Sequence, residues 1–525
     1  MSFASILQMS DRENDINPTL SASFADLQLD RIFGAITADY VEYRLDDYFR
    51  VPPGSFEHVL YRQEIMRDLE DPFLLETITS FSRTMRLVRL YAGYAETLHQ
   101  TDQCRKWLLD AADLYVHAVS DLNGVLTGLT RLDGTEGAET ANETGRTLKS
   151  AGLRDFSDWL GEYRSGLVGF AAETTAMKEE MAGIRYRLEL GRDRIVVATD
   201  RSSADYRAEL NTTFAPVIEL PYEDEIRFFS DLEMSLLENR ILEAVRGMNP
   251  DAFVHLEVWH RRHAGFLSPV LVRFEREVQF YLSFLDFLAP LQEKGLSFCW
   301  PVLSRGPKLE IHEGYDLALA MKCLEAGTGL VSNDCILSGQ ERLMVLTGPN
   351  QGGKTTFARA LGQAAYLTML GCPIPGRYAE ISLFDALFTH FSVEEALETQ
   401  SGRLQEELLR VRDLFTQATS SSLIILNELF STTTTADAQV MGGKILGHFR
   451  SLDCFCLYVT HLHELAATDE KTVSLVALIR DDESGARTFH IVRRAADGQA
   501  HAHALAIRYR LDAENLKRRL KGDAP

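Results

Sequence analysis

A glycine-rich stretch that directly follows a short apolar run restricts the possible folds of this chain more than any other feature. Residues 348–355, GPNQGGKT, match the phosphate-loop pattern G-x-x-x-x-G-K-[ST] at every fixed position. In such a loop the glycines let backbone N–H groups surround a phosphate, the Lys354 ammonium neutralises the terminal phosphates, and the Thr355 hydroxyl binds Mg²⁺ at a helix N-terminus. The sequence therefore predicts a strand, a phosphate loop and a helix in that order.

The region after Asp334 changes to a pattern that is typical of alternating strands and helices. Three apolar runs of strand length occur at residues 343–346, 423–426 and 455–459, and helical segments separate them. Strands that are apolar on both faces are typical of a central parallel sheet buried between helices. We therefore predict an α/β domain in the C-terminal part.

Polar residues follow the second and third of these runs. Glu428 fits a residue that polarises an attacking water. Asn427 stands where a phosphate-loop ATPase carries an acidic residue for Mg²⁺, and its amide oxygen can accept a hydrogen bond from a metal-bound water but brings no negative charge. His461 lies where it could contact a γ-phosphate. A single histidine is more often structural than functional. The prediction of a nucleotide site therefore depends on all three strand ends together.

The first 330 residues are predicted to be mostly helical because apolar residues recur at steps of three and four. An amphipathic helix is expected over residues 231–245, and a heptad pattern over residues 271–288 predicts a long helix packed on a neighbour. A β-branched run at residues 195–197 predicts a strand in an excursion of about residues 185–216. Six arginines and four acids in residues 185–207 make this excursion either a phosphate-contacting tip or a solvated face.

Charge and composition exclude several classes of protein. The 525-residue chain has 54 basic and 76 acidic side chains, and its net charge of −22 argues against nonspecific coating of nucleic acid. Its 7 cysteines are too scattered for a secreted disulfide framework, and no run is apolar for the ~20 residues that a membrane crossing needs. We therefore expect a cytoplasmic protein that does not enter membranes and in which Cys454 and Cys456 are buried thiols rather than zinc ligands.

Residues 343–466 resemble the ATPase domain of the MutS family of DNA mismatch-repair proteins, a branch of the ABC-type ATPases. The resemblance rests on TGPNQGGKTT, AEISLFDALFTHFSV, LIILNELFSTTTTADA and YVTHLHEL. It implies a mixed fold, with a helical core and lever region at residues 1–330 and a P-loop ATPase domain with a C-terminal helical dimerisation segment at residues 331–525. It also implies ATP and Mg²⁺ as cofactors, a homodimer joined through the ATPase domains, and DNA as a partner of the helical region.

The resemblance also assigns roles to individual residues. Glu428 and His461 are implied to be catalytic, and Thr355 and Asn427 are implied to bind Mg²⁺. Ser401 falls where the family's signature helix reaches the γ-phosphate of the opposite subunit, and Asp437 falls in the loop that crosses the dimer interface. The residues implied to bind the nucleotide are Gly348, Pro349, Asn350, Gly352, Gly353, Lys354, Thr355, Thr356, Ser401 and Asp437.

Several positions depart from the family pattern. Asn427 replaces the usual aspartate, Phe430 begins the segment in which the family has glycines, and no aromatic residue follows Ser401. Leu330 stands where related proteins place an aromatic residue near the adenine. None of the 28 phenylalanines is followed two positions later by glutamate, as in the family's mismatch wedge. We therefore expect slow hydrolysis and no direct reading of mismatches by stacking.

Other functions remain open at the level of the sequence. One is a switch that dimerises on ATP without turnover, which Asn427 favours. Another is an ATPase that acts on a protein partner instead of DNA, which the net charge permits. The motor subunit of a membrane transporter is disfavoured by the long helical region ahead of the phosphate loop.

Overall fold

The computed structural model describes residues 3–8, 20–130, 147–192, 194–199, 233–391, 400–430, 433–479, 487–496 and 517. The chain divides into two compact units, of which the first comprises Met1–Ala4 and Asp68–Glu275 and the second Ser5–Arg67 and Arg276–Pro525. Each unit combines two segments that are apart in the sequence. The domain boundary implied between residues 330 and 331 stays a prediction.

The described helices and strands are as follows, in chain order. The α-helices are α1 (Leu20–Asp26), α2 (Leu29–Thr37), α3 (Asp46–Arg50), α4 (Phe56–Asp68), α5 (Pro72–Thr97), α6 (Thr101–Thr130), α7 (Ala151–Gly166), α8 (Val168–Ala182), α9 (Leu236–Met248), α10 (Pro250–His263), α11 (Pro269–Glu293), α12 (Leu317–Ala326), α13 (Lys354–Leu370), α14 (Gln400–Gln417) and α15 (Thr435–Leu452). Short 3-10 helices cover Ala38–Tyr43 and His463–Ala466. The strands are β1 (Tyr186–Leu190), β2 (Ile195–Thr199), β3 (Phe298–Cys299), β4 (Val302–Ser304), β5 (Leu309–Gly314), β6 (Asn333–Leu337), β7 (Leu343–Thr347), β8 (Ile374–Pro375), β9 (Tyr378–Ser382), β10 (Leu387–Phe391), β11 (Leu423–Asn427), β12 (Phe455–Val459), β13 (Thr472–Ile479) and β14 (Arg487–Arg493).

The first unit is mainly helical, and local sequence signals define its helix ends. Helix α5 begins where the Asp71 carboxylate accepts the N–H groups of Phe73 at 2.9 Å and Leu74 at 3.2 Å. Its apolar positions recur with helical spacing, so Ile78, Phe81, Met85 and Val88 share a buried face. The predicted excursion is described in part, because its first residues form an antiparallel hairpin of β1 and β2. The rest, from residue 200 to 216, lies outside the described residues.

The helix predicted over residues 231–245 is present, but its beginning is different. The helix starts at Leu236 because Ser235 and Glu238 form a reciprocal capping box that satisfies the first free N–H groups. The heptad prediction over residues 271–288 is confirmed by α11. The strand predicted at residues 195–197 is confirmed by β2.

The C-terminal α/β domain is organised around a sheet whose order is β10-β11-β12-β7-β13-β14. Its neighbours from β10 to β13 pair in parallel, and β14 closes one edge in antiparallel orientation. Every residue of β7, β11 and β12 is buried, which explains their continuous apolar runs. The fold is therefore mixed, with a helical N-terminal region and a C-terminal α/β domain, as predicted.

Close packing and a buried amide fix helix α13 against its neighbours. A Cβ on Gly362 would lie 2.4 Å from Leu27 Cδ2, so the absent side chain permits this approach. Gln363 is fully buried and donates to Leu27 O and Asp316 Oδ1, both at 2.9 Å, while its Oε1 accepts the N–H of Leu317 at 2.8 Å. The helix that follows the glycine-rich loop is thus held in a defined position.

The prediction of a mostly helical region up to residue 330 misses the strands β3, β4 and β5. These strands are short, and only β5 shows a clear alternation, with Leu309 and Ile311 buried between more exposed residues. They are stabilised by pairing with residues far along the chain, since β5 lies between β9 and β6 in a sheet of order β4-β9-β5-β6. Within the described residues, no helix has the length and apolar character that a membrane crossing requires.

Candidate nucleotide site

The glycine loop, residues 348–353, lies between the carboxyl end of β7 and the start of α13. Gly348 has a φ of 131°, and a Cβ there would come within 2.9 Å of the Ala477 Cβ. A Cβ on Gly352 would lie 3.0 Å from the Pro349 carbonyl oxygen. Gly353 has a φ of 93° and precedes the first turn of α13. The glycines are therefore required by both conformation and space, and the loop leads into the positive end of a helix.

Lys354 is the first residue of α13, and its side chain contacts this loop. Its side chain is buried, and its Nζ donates to the carbonyl oxygens of Gly348 at 2.9 Å and Pro349 at 3.1 Å. The Nζ also lies 3.8 Å from Glu428 Oε1. Burial lowers the pKa of Lys354 from its ordinary value, and the Glu428 carboxylate opposes this shift. The loop thus holds an ammonium group where an incoming phosphate would find a cation.

Glu428 and His461 come together from two adjacent strands. Strands β11 and β12 are parallel and in register, so the residues that follow them meet at one edge of the sheet. His461 Nε2 lies 2.9 Å from Glu428 Oε1. The hydrogen bond from His461 is the main reason that the pKa of Glu428 lies below its ordinary value, while partial burial opposes the shift. Glu428 is therefore an ionised carboxylate that can accept a proton or orient a water.

Among the described residues, the buried polar atoms without a hydrogen-bond partner include two that belong to the last residue of a strand. They are Asn427 Oδ1 at the end of β11 and Thr347 Oγ1 at the end of β7. Asn427 is 5% exposed, and an unsatisfied buried polar group costs about 1–3 kcal/mol. An amide oxygen left free at this position can accept from a ligand or from a metal-bound water, so the donor set fits a hydrated Mg²⁺ ion.

The turn after β11 has an unusual backbone. Glu428 and Phe430 have φ values of 57° and 63°, in the left-handed region that favours glycine. The N–H of Glu428 donates to Val459 O at 2.9 Å, and the N–H of Phe430 donates to Glu407 Oε2 at 3.0 Å. Glu407 lies on α14 and is 5% exposed, so a buried carboxylate secures the turn that carries Glu428.

The remaining predicted residues lie in several places. Thr355 and Thr356 belong to the first turn of α13, at the loop. Asp437 is exposed in the first turn of α15, where its N–H and its carboxylate both bond to the Thr434 hydroxyl. Ser401 lies in α14, but its side chain is outside the described residues. Leu330 lies in the segment between α12 and β6 and is half-buried.

Some residues beside the loop were not identified from the sequence. Arg487 on β14 donates to Gln351 Oε1, and Phe489 lies against Gly353. Asn333 binds the β14 backbone at two points. Arg487 and Phe489 come to the loop through the pairing of β14 with β13, whereas Asn333 lies on β6. No local motif marks any of the three.

The chain has recognisable similarity to known proteins over its C-terminal part. Residues 344–507 match the family MutS domain V. The chain is 32% identical over 197 residues to the DNA mismatch repair protein MutS of Erythrobacter litoralis, and this match covers 37% of the chain and 22% of the relative. It is 30% identical over 180 residues to the protein of the same name from Chlorobaculum tepidum, covering 34% and 20%. The match to the Rickettsia bellii protein is 32% identical over 182 residues, also covering 34% and 20%. The matched part therefore spans about a fifth of the length of these relatives.

Proposed function

Because residues 344–507 make this chain a member of the MutS family, we propose that it binds ATP with Mg²⁺ at the glycine loop and hydrolyses it slowly. The observation that carries the proposal is the tightly packed glycine loop, whose Gly348 and Pro349 carbonyl oxygens hold the buried Lys354 ammonium. Such a cradle suits the triphosphate of a nucleotide.

The loop and the residues next to it have separate physical tasks in this proposal. Lys354 exchanges its bonds to the Gly348 and Pro349 carbonyls for bonds to phosphate oxygens, and the loop N–H groups bind the same phosphates. Mg²⁺, held by the Thr355 hydroxyl and through water by Asn427, supplies neutralisation of the phosphate charge. The free Asn427 Oδ1 supports this placement.

Glu428 orients the attacking water in the proposed reaction, while His461 positions Glu428 and contacts the terminal phosphate. The bond of 2.9 Å between them supports a shared role. Asn427 contributes no negative charge to the metal site, so we propose a turnover slower than that of a site with aspartate at this position.

We also propose that ATP joins two copies of the chain. In this arrangement Ser401 of α14 and Asp437 of α15 act on the nucleotide of the partner subunit, so each site is complete only in the dimer. The exposure of Asp437 at a helix N-terminus supports its availability to a second chain.

The relatives are named as DNA mismatch repair proteins, and we propose that nucleotide state is coupled to DNA binding through the helical region at residues 1–330. The second candidate function is an ATP-dependent dimerisation switch that acts on a protein and does not hydrolyse ATP. The neutral Asn427 and the net charge of −22 favour this alternative. Binding to branched, mismatched and plain duplexes at increasing salt separates the two, because phosphate contacts weaken steeply with salt.

The nucleotide site is tested by calorimetry with Lys354→Ala. We expect the native chain to bind ATP, Lys354→Ala to lose detectable binding, and Lys444→Ala, which removes an exposed lysine of α15, to bind like the native chain. Unchanged affinity in Lys354→Ala would overturn the assignment.

Turnover and mass measurements test the remaining steps. Asn427→Asp should hydrolyse ATP faster than the native chain with Mg²⁺, and an absence of turnover in both proteins would favour the switch. An increase of molecular mass on adding ATP, reduced in Ser401→Ala, tests the dimer.

A further inference from the structure

Residues 5–8, with the sequence SILQ, form a short segment that belongs to no helix or strand. This SILQ segment lies in a groove between α4 and α11, and the residues that bind it all belong to the second compact unit. Ile6 and Leu7 are 0% and 1% exposed, so both aliphatic side chains are completely inside the groove. The segment is therefore held by tertiary contacts and not by the hydrogen bonds of a helix or a sheet.

Helix α4 binds two carbonyl groups of the SILQ segment. Tyr61 Oη donates to Ser5 O at 2.7 Å, and Arg62 Nε donates to Leu7 O at 3.1 Å. Arg62 is 1% exposed, and its guanidinium lies 5.2 Å from the centre of the Phe280 ring on α11. Because Phe280 is not part of the segment, Arg62 has a contact that positions it whether or not the segment is bound.

Helix α11 binds both main-chain groups of Ile6. Glu277 Oε2 accepts the N–H of Ile6 at 3.0 Å, and Tyr281 Oη donates to Ile6 O at 2.6 Å. Glu277 and Tyr281 are 6% and 0% exposed. Hydrogen bonds to buried charged groups are among the strongest that a peptide group can make, so the groove is suited to binding a peptide main chain.

The SILQ segment also determines its own shape. Ser5 Oγ accepts the N–H groups of Leu7 at 3.0 Å and Gln8 at 3.1 Å. A serine hydroxyl that binds the N–H groups two and three residues later makes a local turn. Serine therefore bends the main chain, and the two aliphatic residues after it fill the groove.

We propose that the groove between α4 and α11 is a peptide-binding site and that the SILQ segment is its exchangeable ligand. The binding groups are side chains of two helices, so the site is present before the ligand arrives. All four of their hydrogen bonds are made to the main chain, while the groove selects apolar side chains by burying Ile6 and Leu7. The ligand class is thus a short peptide in which a serine precedes two aliphatic residues. Peptide binding at this groove is independent of the proposed nucleotide function.

Fluorescence anisotropy with a labelled peptide of residues 1–8, MSFASILQ, tests the proposal on the full chain. In the native chain the attached segment competes with the peptide at an effective concentration of about millimolar. Ile6→Asp in the chain places a carboxylate in the apolar groove and should release the segment. We expect this variant to bind the peptide at least about 10-fold more tightly than the native chain does. A peptide that itself carries Ile6→Asp should bind to neither protein.

Two buried tyrosines provide a matched comparison within the Ile6→Asp chain. Tyr281→Phe removes the hydroxyl that donates to Ile6 O and should weaken peptide binding about 2- to 10-fold, as expected for one hydrogen bond. Tyr366 is also 0% exposed, but its hydroxyl donates to Phe49 O at 2.8 Å, so Tyr366→Phe should leave peptide affinity unchanged. Equal affinities in these two variants would overturn the assignment of the peptide to this groove.

Amide exchange of the native chain gives a second test that needs no variant. An exchangeable ligand leaves by local opening, so the protection factor of the Ile6 N–H should be at least about 10-fold lower than that of Ile425 in the buried strand β11. Equal protection of both amides would show that the SILQ segment leaves only on global unfolding and would overturn the proposal. An Ile6→Asp chain that keeps its cooperative urea unfolding but does not bind the peptide would overturn it as well.

Discussion

The buried contact between Glu407 and Phe430 provides a quantitative test of how the turn after β11 is stabilised. Glu407 Oε2 accepts the Phe430 N–H at 3.0 Å, and the two residues are 5% and 1% exposed. Glu407→Leu fills a similar volume but removes the acceptor, so the N–H group remains buried without this partner. The expected loss is about 1–3 kcal/mol in the free energy of unfolding, which is the usual cost of such a group.

Urea unfolding of the native chain, Glu407→Leu and Glu406→Leu measures this loss. Glu406 is the preceding residue and is exposed, so the same substitution there should change stability by less than about 0.5 kcal/mol. Amide exchange at Phe430 should also become faster in Glu407→Leu only. Equal unfolding free energies in the two variants, or unchanged exchange at Phe430, would refute the reasoning that this carboxylate secures the turn.

Two further predictions concern packing and charge. Gly362→Ala should lower the free energy of unfolding by about 1–2 kcal/mol, because overpacking against Leu27 outweighs the better helix propensity of alanine. Gly447 has open space around it, so Gly447→Ala should raise the free energy of unfolding by about 0.5–1 kcal/mol. Thermal unfolding of both variants checks the opposite signs. His461→Ala should raise the pKa of Glu428 toward the ordinary carboxyl value, as measured by NMR titration. In the native chain the stabilisation from Glu428 is complete above the ordinary carboxyl pKa of about 4.3 and is lost as the pH falls through the lowered pKa. An unchanged pKa of Glu428 in His461→Ala would contradict the role of the hydrogen bond.

Local patterns explain why much of the C-terminal domain could be predicted from the sequence. The strands β7, β11 and β12 were identified because strands buried on both faces are continuously apolar. Glu428 and His461 were assigned to one nucleotide site because each follows the carboxyl end of a predicted strand, and the structure brings the two side chains into contact. Neither prediction required knowledge of contacts between distant residues.

The contacts that escaped prediction join residues far apart in the sequence. Asn333 reaches Phe489 across 156 positions, and this contact exists only because β14 folds back on β13 beside β7. Glu407 on α14 reaches Phe430 across 23 positions, and no motif marks this pair. Residue types alone could not identify these pairs, since an asparagine at the start of a strand and a glutamate in a helix are ordinary features of any fold.

Asn427 affects both the stability of the end of β11 and the proposed choice between turnover and switching. An aspartate there would add a buried carboxylate directly beside Glu428, and without a metal that charge would be unpaired and costly. The neutral amide avoids this cost and leaves one free oxygen at the end of β11. A site built in this way keeps its glycine loop stable at low Mg²⁺, and it would hold the proposed metal ion more weakly than a site with aspartate. Binding of ATP should therefore depend less on Mg²⁺ in the native chain than in Asn427→Asp, while turnover should depend on Mg²⁺ in both.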